Sequence, residues 1–102
     1  MLLREIAHSR TGDKGRIVTI SLIAYRDEDY ARLCGLITAA VVEEHFGELG
    51  KLIEGPVLRY KLPRLSALNF VLTRPATQGV TRSLALDAHG KCLGSALLAM
   101  EI

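Results

Sequence analysis

From Ile17 to Tyr25 the chain places β-branched side chains at Ile17, Val18, Thr19, Ile20 and Ile23, and Val18, Ile20, Leu22 and Ala24 recur at every second residue. That period of two marks a strand with one face in a core and the other facing away from it. A lone strand is not stable, so the remaining sequence must supply paired strands and a cover for the apolar face. With 102 residues, one domain spanning 1–102 is expected. Hydrophobic residues make up 49% and aromatics only 5%, with no Trp, so the core must be aliphatic.

Other segments punctuate themselves. Residues 2–8 read as a first strand and His8 to Arg16 as a glycine-bearing loop. Asp27-Glu28-Asp29 opens a helix, with Asp27 as its cap and the acids suited to the positive end of the helix dipole. Tyr30, Leu33, Ile37, Ala40, Val41 and Glu44 keep helical spacing, and Gly47 follows Phe46 as a stop. Pro56 and Pro63 bracket a strand in which Leu58, Tyr60 and Leu62 alternate with Val57, Arg59 and Lys61. Leu65, Leu68, Asn69 and Leu72 fit a short second helix, although Phe70-Val71-Leu72 also suits extended chain.

Val80, Arg82, Leu84 and Leu86 alternate up to the turn Asp87-Ala88-His89-Gly90. A last strand with Cys92, Gly94, Ala96, Leu98, Met100 and Ile102 on one face then completes a hairpin. The predicted order is ββαβαββ. This is an α+β, ferredoxin-like split sandwich: a mostly antiparallel sheet with two helices on one face. The sheet then carries apolar residues on both sides, such as Val18, Ile23 and Val57. Two helices cover one side only, so a homo-oligomer is expected.

The run Ser9-Arg10-Thr11-Gly12-Asp13-Lys14-Gly15, with His8 and Arg16 at its ends, gathers cations, hydroxyls and glycines between two strands. Glycines let backbone N–H groups turn toward a common point, and Arg10, Lys14 and Arg16 offer charge-assisted donors. An anionic small molecule, phosphate or carboxylate, suits that combination. The plain alternative is a hairpin turn carrying solvated charge. The run is not a phosphate-binding Walker loop, because Lys14 is followed by Gly15. Gly12-Asp13-Lys14-Gly15 matches the GxxG of KH domains, but here it joins strands rather than helices.

Other groups weigh less. His8, Ser9 and Asp13 are of the types used in nucleophilic catalysis, but neighbours on a strand point to opposite faces. His45 is a dipole partner near a helix C-terminus and His89 a turn residue. Two polar residues share apolar faces, Asn69 with leucines and Arg82 with Val80, Leu84 and Leu86. Each either braces local structure or reaches toward the glycine run. Cys34 and Cys92 stand far apart with no metal-ligand spacing, so neither a disulfide nor a metal site is expected. A net charge of +2 does not suggest nucleic acid. No apolar stretch is long enough for a membrane span, and Arg4-Glu5 interrupts any leader, so a cytoplasmic setting without cofactors is the expectation.

On these residues the sequence resembles the small C-terminal domain of the acyclic terpene utilisation protein AtuA and its stand-alone relatives. The matching motifs are Arg10-Thr11-Gly12-Asp13-Lys14-Gly15, then Tyr60-x-Leu62-Pro63-x-Leu65-x-Ala67-Leu68-Asn69-Phe70. Arg82-Ser83-Leu84 and Asp87-x-x-Gly90-Lys91 add to them. Arg16, Thr19 and Ser21 depart from a family pattern that favours Asn or Asp, Asn and Gly there. The resemblance implies a ferredoxin-like fold and a setting in catabolism of branched or terpenoid acids handled as acyl-CoA thioesters. It also implies a larger AtuA-type partner. The function expected is an accessory or binding subunit whose basic glycine run engages an anionic group. A small enzyme acting on an acyl-CoA or carboxylate, and a ligand-free dimerisation domain, are the alternatives.

Overall fold

A computed structural model of the chain describes residues 1–49, 52–75 and 93–102. Strands β1 (Ala7–Lys14), β2 (Ile17–Ala24), β3 (Leu58–Leu62) and β4 (Ala67–Thr73) form one antiparallel sheet in the order β1-β2-β4-β3. Helices α1 (Asp27–Leu36) and α2 (Ala39–Glu48) lie between β2 and β3, and α3 covers residues 93–98. The arrangement is α+β and consistent with a ferredoxin-like domain, and the alternation in β2 reflects its one buried face. Val18, Ile20 and Leu22 of β2 meet Leu68, Phe70 and Leu72 of β4 beneath Leu33, Val42 and Phe46 of the helices. All of these side chains are fully buried. Among the described residues, no helix is long and apolar enough to cross a membrane.

Several expectations are corrected. The glycine run is not a loop. β1 extends through Lys14, which pairs with Ile17, so only Gly15 and Arg16 make the turn. Gly15 takes φ 62°, the value a two-residue hairpin needs at its first central position. The first strand also starts later than expected, after a single 3-10 turn at Leu3–Glu5.

The expected single helix from Asp27 to Phe46 is two. Ile37 leaves helical geometry at ψ 77°, and the Thr38 hydroxyl restarts it by accepting from Val41 N at 3.2 Å. The break shifts the buried face by one residue, from Leu33 and Ile37 to Val42 and Phe46, leaving Ala40 and Glu44 exposed. Asp27 is the first helical residue rather than the cap, and its carboxylate accepts instead from the Ser66 hydroxyl at 2.5 Å.

The expected helix over 65–72 is β4, preceded by a 3-10 turn at Pro63–Leu65. Leu68, Phe70 and Leu72 alternate with Asn69 and Val71, and the strand period prevails because each partner in β2 alternates likewise. The expected last strand is helical over 93–98. Leu93 and Leu97, one turn apart, are its buried pair. Only the chain end is extended, with a bridge from Glu101 to Leu2. The expected strand over 80–86, the turn at 87–90, Arg82 and Cys92 lie outside the described residues.

Candidate functional site

Strand register sorts the glycine run onto two faces. Residues paired across an antiparallel sheet share a face, and Ser9, Thr11 and Asp13 pair with the buried Leu22, Ile20 and Val18. They therefore belong to the helix side. Gly94 of α3 presses there so closely that a Cβ on it would lie 2.8 Å from Ser9 Oγ and 2.9 Å from Thr11 Cγ2. Arg10, Gly12 and Lys14 belong to the opposite, outer face, with Asn69. Ser9, Asp13 and Asn69 thus do not share a cleft, and a catalytic group built from them is not assembled.

The two faces also divide the charges. Arg16 donates to Glu54 at 2.6 Å and to the Arg74 carbonyl at 3.2 Å. Arg74 in turn donates to the Gly15 carbonyl and pairs with Asp13 at 3.7 Å. These contacts tie the hairpin turn to the end of β4 and occupy both Arg16 and Asp13. Arg10 and Lys14 are exposed and form no ion pair among the described residues.

The outer face is an array read directly from the register. One row across the strands is Arg10, Ser21, Asn69 and Tyr60, and the next is Gly12, Thr19, Val71 and Leu58. Within the polar row the Ser21 hydroxyl donates to Asn69 Oδ1 at 3.2 Å, so Asn69 is satisfied across β2 and β4 rather than by capping a loop. In the second row the missing side chain at Gly12 leaves a recess of about 230 Å³ lined by Gly12, Asp13, Lys14, Ile17 and Thr19. Thr19 Oγ1 donates to the Gly12 carbonyl at 3.4 Å, a long bond that exchanges readily. No paired position on this face of β1, β2, β4 or β3 carries a carboxylate.

Sequence reasoning singled out Asn69 but assigned Thr19 and Ser21 no part in the site. Their signal was present: they are the polar residues alternating with the apolar face of β2. His8 also belongs to the outer side, stacked on Tyr25 with ring centroids 5.1 Å apart, and its buried Nδ1 lacks a hydrogen-bond partner among the described residues. His45 Nε2 donates at 2.8 Å to the Ala96 carbonyl, so it serves the last turn of α3 rather than its own helix. Among the described residues, no cluster of three or more His, Cys, Asp or Glu could hold a metal.

Behind β3, Arg59 Nη1 lies against the end of α1. Nearby, the Tyr30 hydroxyl is buried beside the Cys34 thiol. Loss of water pushes its pKa above 10.0; the Cys34 thiol one turn on acts in the same direction, and Arg59 opposes. Cys34 is a free thiol.

No curated protein and no solved structure matches the chain. A family model, that of the AtuA ferredoxin-like domain, does match, over residues 1–102. The chain belongs to the AtuA ferredoxin-like domain family.

Proposed function

We propose that this chain is a binding or accessory subunit in the catabolism of branched or terpenoid acids or their acyl-CoA thioesters, and that its outer sheet face engages an anionic group. Family membership supports a role related to acyclic terpene utilisation. The observation that carries the site is the placement of Arg10 and Lys14 one pleat to either side of Gly12, over the Thr19 hydroxyl and among paired strand positions that carry no acid. Each cation is about 7 Å along the strand from Gly12, within reach of a long side chain. Unpaired guanidinium and ammonium groups give charge-assisted bonds to carboxylate or phosphate. A larger AtuA-type protein or a second copy is the proposed partner in assembly.

The test is titration with phosphate, coenzyme A and short-chain carboxylates, followed by the shift in melting temperature. Wild type responds to at least one of these anions, and the Arg10→Ala/Lys14→Ala variant responds to none. A wild type indifferent to all of them, and indistinguishable from the variant, leaves β1–β2 as a plain hairpin and removes the proposal.

A further inference from the structure

We infer that the outer face takes a free carboxylate carrying an aliphatic chain, with its head over Gly12 and its chain lying across the strands toward Leu58. This rests on the anion-binding reading above and narrows it to one ligand class.

The row that begins at the recess continues through Thr19 and Val71 to Leu58 without meeting a charged side chain. Ile17 and Tyr60 flank it and are 42% and 52% exposed, and Leu58 is 49% exposed. Exposed apolar residues scattered singly need no explanation, but Leu58 and Tyr60 adjoin each other on β3, while Ile17 stands beside Thr19 on β2. The track is cationic at its β1 edge and apolar at its β3 edge. Three strand spacings separate those edges by about 14 Å, which matches an aliphatic chain of roughly ten carbons.

That polarity selects the ligand. A second copy laid face to face would bring Arg10 and Lys14 against either their own counterparts or the apolar side chains of β3. With no acid at the paired strand positions of this face, neither arrangement neutralises them. A coenzyme A thioester fits poorly for another reason. Its chain ends in an uncharged thioester, and its phosphates lie beyond a long pantetheine arm. With the acyl chain on the track, the group beside Lys14 would carry no charge. A free carboxylate puts the negative charge next to the first methylene, as the recess requires.

Isothermal titration of the full chain with butanoate, octanoate and decanoate, below their micelle concentrations, tests the inference. Affinity is expected to rise at least tenfold from butanoate to decanoate. Leu58→Glu is expected to lower decanoate affinity at least tenfold while leaving butanoate binding unchanged. Because Leu58 is half exposed on an edge strand, this variant should fold, which its melting temperature checks. Equal affinities along the series, with Lys14-dependent anion binding intact, would overturn the aliphatic track and leave the anion site standing. Loss of all anion binding would remove both. Tighter binding of decanoyl-coenzyme A than of decanoate would overturn the choice of a free acid. Binding to phosphatidylglycerol vesicles without binding to decanoate would overturn it in favour of a lipid surface. A wild-type dimer that Leu58→Glu dissociates would assign the face to a second copy instead.

Discussion

Arg59 and Ile37 meet where the helical region breaks: Arg59 Nη1 donates to the Ile37 carbonyl at 2.9 Å and, with its other hydrogen, to the Cys34 carbonyl at 2.8 Å. Cys34 lies in the last turn of α1 and Ile37 is the residue that ends it, where carbonyls lose their helical partners. A residue of the edge strand β3 thus closes the helix above it. Arg59→Ala should cost about 1–3 kcal/mol, since it strands two part-buried acceptors. Arg59→Lys should restore part of that. Urea midpoints check both, and an Arg59→Ala midpoint equal to wild type would show that water replaces the guanidinium without loss.

The contact of α3 with β1 sets a second expectation. In an open helix Gly94→Ala would gain about 1 kcal/mol from propensity. Here the new methyl would meet Ser9 Oγ at 2.8 Å and Thr11 Cγ2 at 2.9 Å, so the net effect should be a loss of about 1–3 kcal/mol. In a Ser9→Ala/Thr11→Ser background both obstructing atoms are gone, and the same substitution should be neutral or stabilising. A double-mutant cycle without coupling would mean that α3 shifts freely on the sheet.

What the sequence made legible follows from where its periods were unambiguous. β2 was readable because five β-branched positions and a strict alternation agreed. β4 was misread because Leu65, Leu68, Asn69 and Leu72 satisfy a helical spacing while Leu68, Phe70 and Leu72 satisfy a strand. Only pairing with β2, which is not local, decides between them. The C-terminal segment failed in the opposite direction, where small residues at Gly94 and Ala96 let a helix pass for an alternating strand. The candidate site was legible in its residue types and not in its geometry. Extending β1 to Lys14 sends Arg10 and Lys14 to one face and Ser9, Thr11 and Asp13 to the other.

The buried Tyr30 hydroxyl carries a pH expectation. Its folded pKa is raised above 10.0, chiefly because burial disfavours the phenolate. The folded protein therefore holds this proton more tightly than the unfolded chain. The associated stability is fully present below pH 10.0 and is lost as pH rises through the folded pKa. Tyr30→Phe should flatten that alkaline decline. It should also leave the neutral-pH midpoint near wild type, because the hydroxyl it removes meets the Cys34 thiol, a weak hydrogen-bonding group. An alkaline profile unchanged by Tyr30→Phe would assign the decline to other groups.

Glycines 12 and 15 should separate stability from binding. Gly15 sits at φ 62°, so Gly15→Val strains the turn and should cost about 1–2 kcal/mol. Gly12 lies in a strand, where a Cβ would approach Thr19 Oγ1 at 3.2 Å, a contact a hydroxyl can yield to by rotating. Gly12→Ala should therefore change stability by less than about 1 kcal/mol while narrowing the floor of the recess and weakening anion binding. A Gly12→Ala variant that binds phosphate or carboxylate as wild type does would place the anion elsewhere.

The basic residues of this hairpin fall into two kinds. Arg16 is committed to Glu54 through a pair in which both side chains are about half exposed. Such a pair contributes about 0–1 kcal/mol. Arg16→Ala should therefore lower stability slightly and leave anion binding intact. Arg10 and Lys14 hold no structural partner among the described residues, so Arg10→Ala/Lys14→Ala should leave the melting temperature of the free protein nearly unchanged. The same pair of substitutions should abolish the shift caused by added anion, and single substitutions should each weaken it. Salt should act in parallel: raising ionic strength weakens the response of wild type, because both cations are exposed and screened. If Arg16→Ala removes the anion response while the double variant keeps it, the anion sits at the turn rather than on the outer face, and the division of charges by strand register has no functional meaning.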